Sequence, residues 1–321
     1  MLSERAFERI GALECAGACN IHLPALSNGS STKVIIPVAG AAPIIEKAMA
    51  KVIIGDLVSF YKVFAVSALL FLNAGAAFSA DKIIALTFDD GPRPYVLFGT
   101  KGDHAGTSLV KVLDDNGVKA TFFVVGWRLT PKTWGERRYE ENVGITCIDA
   151  AEQLVRRGHE LEDHTYSHIE LRTAERKRGE QWVIGDVNRG AEAIKAVTGT
   201  RPHYLRPPDW IISDDARRDL ERQGYHLLTI SRENPIAMRD VNSLDYLWTR
   251  RSAEYPKTAL VDAVLRQVEQ REKRGVYTHI LTFHELSTTA EVMPELIANL
   301  KTRGYRFVTL SEYMKLVGAK P

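Results

Sequence analysis

Short apolar segments alternate with amphipathic segments about seven times between residues 83 and 309, and this alternation constrains the fold more than any other feature. The apolar segments have the length of strands, and the amphipathic ones have the spacing of helices. Strands joined by helices run parallel, because each helix returns the chain to the end where the previous strand began. The pattern therefore predicts an α/β fold, which either a barrel or an open sheet satisfies. The predicted strands are 83–88, 119–125, 159–162, 203–206, 226–230, 279–283 and 306–309.

The amphipathic segments carry recognisable start and stop residues. Asp149 is placed to cap one helix that Gly158 ends, and Ser213 is placed to cap another that Gly224 ends. The predicted helices are 150–157, 214–223, 257–273 and 288–303.

Two segments between the predicted elements are long for simple connections, namely 92–106 and 232–256. Long ordered loops at strand ends are common places for functional groups. Part of a functional site is therefore expected there.

Composition and charge exclude several classes of function. Of the 321 residues, 26% are charged and the formal net charge is only +2, without the basic stripe that a nucleic-acid binder needs. The basic cluster at 172–178 is interpreted as a solvated helix face. Three cysteines, Cys15, Cys19 and Cys147, are too few for a disulfide framework. Cys147 is expected to be a partly buried, small apolar residue.

The apolar run Val63–Leu72 divides the chain. It has about ten residues, which is short for a membrane span and typical of a signal-peptide core, and small residues follow it. Residues 49–80 are therefore interpreted as a signal peptide, with an uncleaved membrane anchor as the alternative. Residues 1–48 are then an upstream extension, as a mis-assigned start would produce, and residues 81–321 are the functional domain. The protein is expected to be exported, to the periplasm or outside the cell.

Two adjacent carboxylates, Asp89 and Asp90, end the first predicted strand within the sequence Thr87-Phe-Asp-Asp-Gly-Pro92. Gly-Pro favours a tight turn, which brings both acidic groups into one small volume. Like charges held that close need a cation or a shared proton. A simple turn would use the same residue types, so the pair alone is weak evidence of a site.

Two histidines, His164 and His168, follow the third predicted strand with a spacing of four. This spacing places two imidazoles on one face of a helical turn, as in two-histidine metal sites. Neutral imidazoles and a carboxylate are the usual ligands of a catalytic zinc. Parallel α/β folds gather their sites at the carboxyl edge of the sheet, where the aspartates and these histidines both lie. The pattern favours a metal site over a pair of surface histidines.

Two further segments end predicted strands with groups suited to chemistry. Arg206-Pro-Pro-Asp-Trp210 provides an aromatic ring and a fixed cation, which can orient a carboxylate by a forked hydrogen bond. His284, within Leu281-Thr-Phe-His-Glu285, can act as an acid near neutral pH. For a lone histidine, a structural hydrogen bond is ordinarily the better explanation.

These segments resemble, in the same order, the motifs of the polysaccharide deacetylases, the NodB-homology enzymes of carbohydrate esterase family 4. The resemblance covers about residues 82–318, and TFDDGP together with HTxSH is a highly specific pair. It implies a distorted (β/α)7 barrel, similar to a TIM barrel, with one divalent metal ion, usually zinc or cobalt. The matching segments are TFDDGP at 87–92, ATFFVVG at 120–126, GHELEDHTYSH at 158–168, RPP at 206–208 and LTFHE at 281–285.

The resemblance also implies a role for each matching residue. Pro208, Asp209 and Trp210 are expected to contact the substrate, and the backbone N–H at Asp209 to bind the oxyanion. By the same match, Asp89 is the general base, Arg206 holds that base in place and His284 is the general acid. The metal ligands are Asp90, His164 and His168.

The implied activity is the hydrolytic removal of acetyl groups from polysaccharide that contains N-acetylglucosamine, such as peptidoglycan or chitin. The alternatives are an O-acetyl esterase acting on xylan-like polysaccharide, a non-catalytic sugar-binding relative and a structural metal protein. The expected partner is an acetylated polysaccharide or oligosaccharide, with no nucleic acid and no membrane contact beyond an uncleaved N-terminal anchor. The protein is expected to be a monomer.

The chain departs from the family pattern at two places. Members often have aspartates and a tryptophan after the fifth strand, where an aspartate supports the acid histidine, but this chain has Thr229-Ile-Ser-Arg-Glu-Asn-Pro235. Glu233 is therefore hypothesised to be the carboxylate partner of His284, with Arg232 turned to solvent. The alternative is that Glu233 is a plain loop residue without a role at the site. Thr282 takes the place of a leucine that usually lines the acetyl pocket.

Overall fold

The chain divides into two units, residues 1–78 and residues 79–321. In the first unit, strands β1 (Ala18–Leu23) and β2 (Thr32–Pro37) pair antiparallel, which the sequence pattern did not predict. The predicted signal segment, 49–80, lies outside the residues described. The computed structural model describes residues 18–23, 32–37, 81–99, 108–130, 144–229, 240–250 and 257–318.

The second unit is built on one sheet in which every pair of strands is parallel. The strands lie in the order β7-β6-β5-β4-β3-β9-β8, and β10 pairs with the first residues of β3. This curled parallel sheet with helices confirms the predicted α/β fold, a distorted (β/α)7 barrel. Its strands are β3 (Ile83–Gly91), β4 (Thr121–Val124), β5 (Glu160–Asp163), β6 (Tyr204–Leu205), β7 (His226–Leu227), β8 (Asp240–Asn242), β9 (Thr278–His284) and β10 (Arg306–Val308).

All seven predicted strands are present, and β8 is an additional strand within the long segment 232–256. Its three residues are Asp-Val-Asn, and Val241 is the one apolar side chain among them, so no apolar run marks the strand. β8 exists because it pairs with β9, with Val241 opposite Leu281. Local sequence could not predict a strand that depends on this pairing.

All four predicted helices are present in the second unit, with one correction to where a helix begins. Ser213 caps its helix as predicted, because its hydroxyl accepts a hydrogen bond from Ala216 N at 3.2 Å. The helix expected to begin after Asp149 instead begins at Cys147, with Thr146 as its cap. The Thr146 hydroxyl accepts from Asp149 N at 3.0 Å, and the Asp149 carboxylate accepts from Thr146 N at 2.9 Å. Asp149 is therefore the second half of a capping box.

No helix within the described ranges has the length and apolar content needed to cross a membrane. The helices are α1 (Pro94–Phe98), α2 (Leu109–Asp115), α3 (Cys147–Arg156), α4 (Leu171–Arg178), α5 (Glu180–Thr198), α6 (Asp214–Arg222), α7 (Asp245–Arg250), α8 (Lys257–Glu272), α9 (Ser287–Thr302) and α10 (Leu310–Leu316).

The two faces of β3 separate the core from the site. Side chains alternate along a strand, so Ile84, Leu86 and Phe88 share one face and belong to the largest apolar cluster, together with residues of α2, α8 and α9. The opposite face begins with Ile83 and Ala85, which belong to a second apolar cluster. The same alternation carries Thr87 and Asp89 onto this second face, where both are buried polar residues.

Candidate active site

The chemical groups identified in the sequence lie at the carboxyl edge of the parallel sheet. Asp89 is near the end of β3 and His284 ends β9, and the two are direct register partners on neighbouring strands. His164 follows the last residue of β5, and Arg206 follows the last residue of β6. Residues far apart in the chain meet there because all of these strands point the same way.

Asp89 and Arg206 form a buried ion pair beneath this edge. Arg206 Nη1 lies 2.6 Å from Asp89 Oδ1, and both side chains are almost fully buried. The same Nη1 donates to the Thr87 hydroxyl at 3.0 Å. The Arg206 guanidinium also lies over the Phe123 ring, 4.1 Å from its centroid. This geometry allows Arg206 to hold the Asp89 carboxylate in one orientation.

Asp90, His164 and His168 form a group whose ligand atoms all lie within 4.8 Å of one another. Asp90 Oδ1 is 2.8 Å from His168 Nε2 and 3.5 Å from His164 Nε2. Neither contact has hydrogen-bond geometry, so this buried oxygen has no hydrogen-bond partner among the described residues. Burial opposes ionisation of Asp90, but the two imidazoles hold the pKa of its carboxyl well below the usual range. An orphaned carboxylate oxygen facing two imidazoles fits a divalent cation.

The hydrogen bond on the other ring nitrogen of His164 sets its tautomer. His164 Nδ1 lies 2.6 Å from the carbonyl oxygen of Arg206. A carbonyl can only accept, so Nδ1 carries the proton and Nε2 presents its lone pair to the site. Metal-binding histidines are usually oriented by such a bond.

The expected helical turn between His164 and His168 is not present. The segment is a loop, with Thr165 at φ 66° and His168 at φ 58°. The ring centroids of the two histidines are nevertheless only 4.9 Å apart. The spacing of four correctly indicated that the two histidines lie side by side. A loop, and not a helical turn, places them there.

Residues of α5 support this loop, and the sequence pattern did not identify them. The Asp186 carboxylate accepts from Ser167 N at 3.1 Å and from the Ser167 hydroxyl at 2.9 Å. Gly190 allows α5 to approach, because a Cβ there would lie 2.9 Å from the carbonyl carbon of Thr165. Both residues are amid ordinary helical sequence, so no local signal marks them.

Among the described residues, the partner of His284 is Asp245, the first residue of α7. Asp245 Oδ1 is 2.7 Å from His284 Nδ1, and its Oδ2 accepts from His284 N at 2.8 Å and from the Thr289 hydroxyl at 2.5 Å. Burial of the ring opposes its charge, but the hydrogen bond and the charge of Asp245 outweigh burial and raise the pKa of His284 to about 9. Glu233 lies outside the described residues.

An aspartate that supports His284 is therefore present, but it does not follow the fifth predicted strand. The fifth predicted strand ends near residue 230, whereas Asp245 follows β8, the strand that the pattern did not predict. A signal was available, because the sequence Ser243-Leu-Asp245 places an acidic residue at the start of an amphipathic segment.

Thr282, the second departure from the family pattern, is linked to the partly buried carboxyl group of Asp240. Its hydroxyl donates to Asp240 Oδ1 at 2.9 Å, and Thr282 is buried. Burial raises the pKa of Asp240 to about 7, although the nearby Arg206 charge and the Thr282 hydrogen bond oppose the rise. A threonine thus replaces an apolar side chain where a carboxyl group needs a hydrogen-bond donor.

The segment Pro208–Trp210 lies beside Arg206, with Asp209 exposed and Pro208 buried. Trp210 covers the Arg206 guanidinium, with 4.8 Å between Cζ and the ring centroid. Asp209 and Trp210 have positive φ values, 56° and 63°, as do Asp90 near the end of β3 and Leu244 just before α7. Residues other than glycine adopt this conformation only under local constraint, and such residues cluster at functional sites.

Comparison with known proteins indicates the same family as the sequence motifs do. A family model described as polysaccharide deacetylase matches residues 78–228. The bifunctional xylanase/deacetylase of Pseudobutyrivibrio xylanivorans is 23% identical over 249 residues, which are 78% of this chain and 33% of that protein. The chitin deacetylase of Colletotrichum lindemuthianum is 27% identical over 235 residues, 72% of this chain and 78% of that protein. The chain thus spans a third of the first relative and most of the second.

A solved structure has the same fold at low identity. A mutant of a carbohydrate esterase family 4 pseudoenzyme from Bacillus anthracis, with restored enzymatic activity, has a TM-score of 0.53 and 19% identity, over 73% of this chain and 68% of that one. Because this fold also serves a pseudoenzyme, activity has to be argued from the side chains at the site. By its sequence over residues 78–228 and by the fold of its second unit, the chain is similar to the polysaccharide deacetylases, the NodB-homology members of carbohydrate esterase family 4.

Proposed function

We propose that the protein is a metal-dependent hydrolase that removes acetyl groups from the N-acetylglucosamine units of a polysaccharide and releases acetate. The observation that carries the proposal is the side-by-side arrangement of three groups. They are the Asp90 oxygen that faces two imidazoles, the Asp89–Arg206 pair and the His284–Asp245 pair. A base, an acid and a cation site are the parts that amide hydrolysis needs.

Asp90, His164 and His168 would hold the ion, and zinc is the ion we propose, with cobalt as the alternative. Three protein ligands leave positions open for water and substrate. When bound, a divalent ion acidifies water and polarises a carbonyl group. His164 is ready for this role because Arg206 O already holds its Nδ1 proton.

The chain's own residues supply the proton transfers. Arg206 binds Asp89 Oδ1, so we assign Oδ2 to take the proton of the attacking water. Asp245 holds Nδ1 of His284, so Nε2 is the atom that protonates the leaving amine. The backbone at Asp209 is the proposed oxyanion donor, a kind of contact that typically contributes about 3–4 kcal/mol.

The substrate class is proposed from the relatives, which include a chitin deacetylase and a bifunctional xylanase/deacetylase. The test is acetate release by the purified, zinc-loaded protein from chitin oligomers, peptidoglycan and acetyl-xylan. Release from the first two would support N-deacetylation, and release from acetyl-xylan alone would support the O-acetyl esterase. Binding of a polymer without release of acetate would instead indicate a non-catalytic relative.

Asp245→Asn is expected to shift the alkaline limb of kcat/KM to lower pH. The general acid must be protonated, so the rate falls as pH rises through its pKa. Without the Asp245 charge, only the weaker effects of Asp89 and Asp90 oppose burial, and the pKa of His284 should fall from about 9 toward its ordinary value of about 6.5. The limb should therefore move down by about two pH units. The measurement is the pH–rate profile of the two proteins.

Two matched variants make this test specific. Thr289→Val removes a donor to Asp245 but leaves the carboxylate, so its limb should stay close to that of the unchanged protein. Glu233→Ala should also leave the limb in place, since Asp245 already occupies Nδ1 of His284. A limb that moves with Glu233→Ala and not with Asp245→Asn would reverse the assignment.

We also propose that the protein is exported and acts as a monomer. Export rests on the apolar run 63–72 and the small residues that follow it. The protein isolated from its native host should have an N-terminus between Phe78 and Asp81. A cytoplasmic product that begins at Met1 would refute export.

A further inference from the structure

Arg93 contacts the predicted metal ligand Asp90 at two points. Its Nη2 lies 3.1 Å from Asp90 Oδ2, and its Nε donates to the Asp90 carbonyl oxygen at 3.4 Å. Both side chains are about four-fifths buried, with exposed fractions of 18% and 20%. The backbone contact anchors the guanidinium beside Asp90, and the contact to Oδ2 favours one orientation of the carboxylate.

The two oxygens of Asp90 therefore face different partners. Oδ1 faces the imidazoles of His164 and His168, whereas Oδ2 faces Arg93. The last torsion of an aspartate side chain is soft, so an unsupported carboxylate would rotate between orientations. With Oδ2 held by Arg93, one oxygen is left for an ion.

Arg93 is itself fixed by Glu285, the residue after His284. The backbone N–H of Arg93 donates to Glu285 Oε2 at 2.6 Å, and Glu285 is fully buried. Gly91 makes room for this carboxylate, because a Cβ at Gly91 would lie 1.7 Å from Glu285 Oε1. The end of β3 that carries Asp90 is thus braced by the residue that follows β9, the strand paired with β3.

We propose that Arg93 is a positioning residue for the metal site, which orients Asp90 so that it offers one oxygen to the ion. This inference rests on the proposed function. A cation beside the site also repels a divalent ion, so the sign of the effect separates two roles. If Arg93 orients Asp90, its removal weakens metal binding; if it acts only as a charge, its removal strengthens metal binding.

The test is the zinc dissociation constant of the full chain, measured by competition with a chromophoric chelator. Loss of an outer partner of a metal ligand typically weakens binding about 10- to 100-fold, and we expect Arg93→Ala to fall in that range. Arg93→Lys should lie between Arg93→Ala and the unchanged protein, because an ammonium keeps the charge but not the two-point contact. At saturating zinc, Arg93→Ala should regain activity to within a few-fold, with KM unchanged.

Arg156→Ala is the matched control, since it removes an exposed arginine of α3 that pairs with Glu152. It should bind zinc like the unchanged protein. Melting of the metal-free proteins checks the fold, and Arg93→Lys alone decides the question if Arg93→Ala does not fold. Equal or tighter zinc binding by the Arg93 variants would overturn this inference and leave the proposed function standing. Failure of the unchanged chain to bind any divalent ion would overturn both.

Discussion

Replacing Asp89 with asparagine is expected to lower kcat by at least about 10²- to 10⁴-fold, the usual contribution of a general acid–base step. An asparagine amide can still accept a hydrogen bond from Arg206 Nη1, so the geometry around Thr87 should persist. It cannot take a proton from water at neutral pH. Asp89 is not among the three proposed ligands, so the variant should still bind one zinc ion per chain. Acetate release and metal content, measured on the same preparation, test both statements.

The same substitution should also destabilise the fold, because it leaves the Arg206 charge buried without its partner. Breaking a buried ion pair by removing one member typically costs about 3–5 kcal/mol. The cost should be lower here if Asp240, whose pKa is raised to about 7, ionises more fully to compensate. Urea unfolding of the metal-free protein measures it.

A double variant separates the lost base from the lost stability. Asp89→Asn with Arg206→Met removes both charges, so much of the stability should return while the activity stays absent. Substantial turnover by the well-folded Asp89→Asn protein would mean that another residue activates the water. Full activity of the double variant would also show that catalysis does not need Arg206.

His164→Ala and His168→Ala are each expected to abolish stoichiometric zinc binding. Each variant lacks one of the three ligands. A bound ion stabilises the transition state by several kcal/mol, so loss of the ion should lower the rate by roughly 10³-fold or more. The two variants should differ in stability. His164 is buried and bonded to Arg206 O, whereas 41% of the His168 side chain is exposed. His168→Ala should therefore unfold near the urea midpoint of the unchanged protein, and His164→Ala well below it.

His203→Ala is the control, because His203 is an exposed histidine whose side chain is not part of the ligand group. It should keep one ion per chain and full acetate release. Metal analysis after dialysis gives the count for all three variants. One ion per chain in both ligand variants would refute the site.

Most of the fold followed from local sequence because strands and helices have short-range signatures. The apolar run that became β3 and the Ser213 cap of α6 both depend on residues within one element. β8 could not be predicted in this way, since its three residues are stabilised by β9 and carry no run of their own. Asp149 was predicted to be the N-cap of α3, whereas Thr146 is the cap. Threonine and aspartate both suit that position, and they lie three residues apart here.

The sequence by itself determined which chemical groups this protein has at the carboxyl ends of its strands. Asp89, Asp90 and His284 directly follow the predicted strands 83–88 and 279–283, so their place at the sheet edge follows from chain direction. Only the tertiary structure decided which groups are partners. Asp245 precedes His284 by 39 positions and follows Asp89 by far more, and its contact with the ring depends on where β8 joins the sheet. Arg93 directly follows the predicted Gly91-Pro92 turn, yet its role depends on which way the Asp90 carboxylate faces. The contact between Asp245 and His284 arises from the packing of distant elements, and packing is not encoded in any single segment.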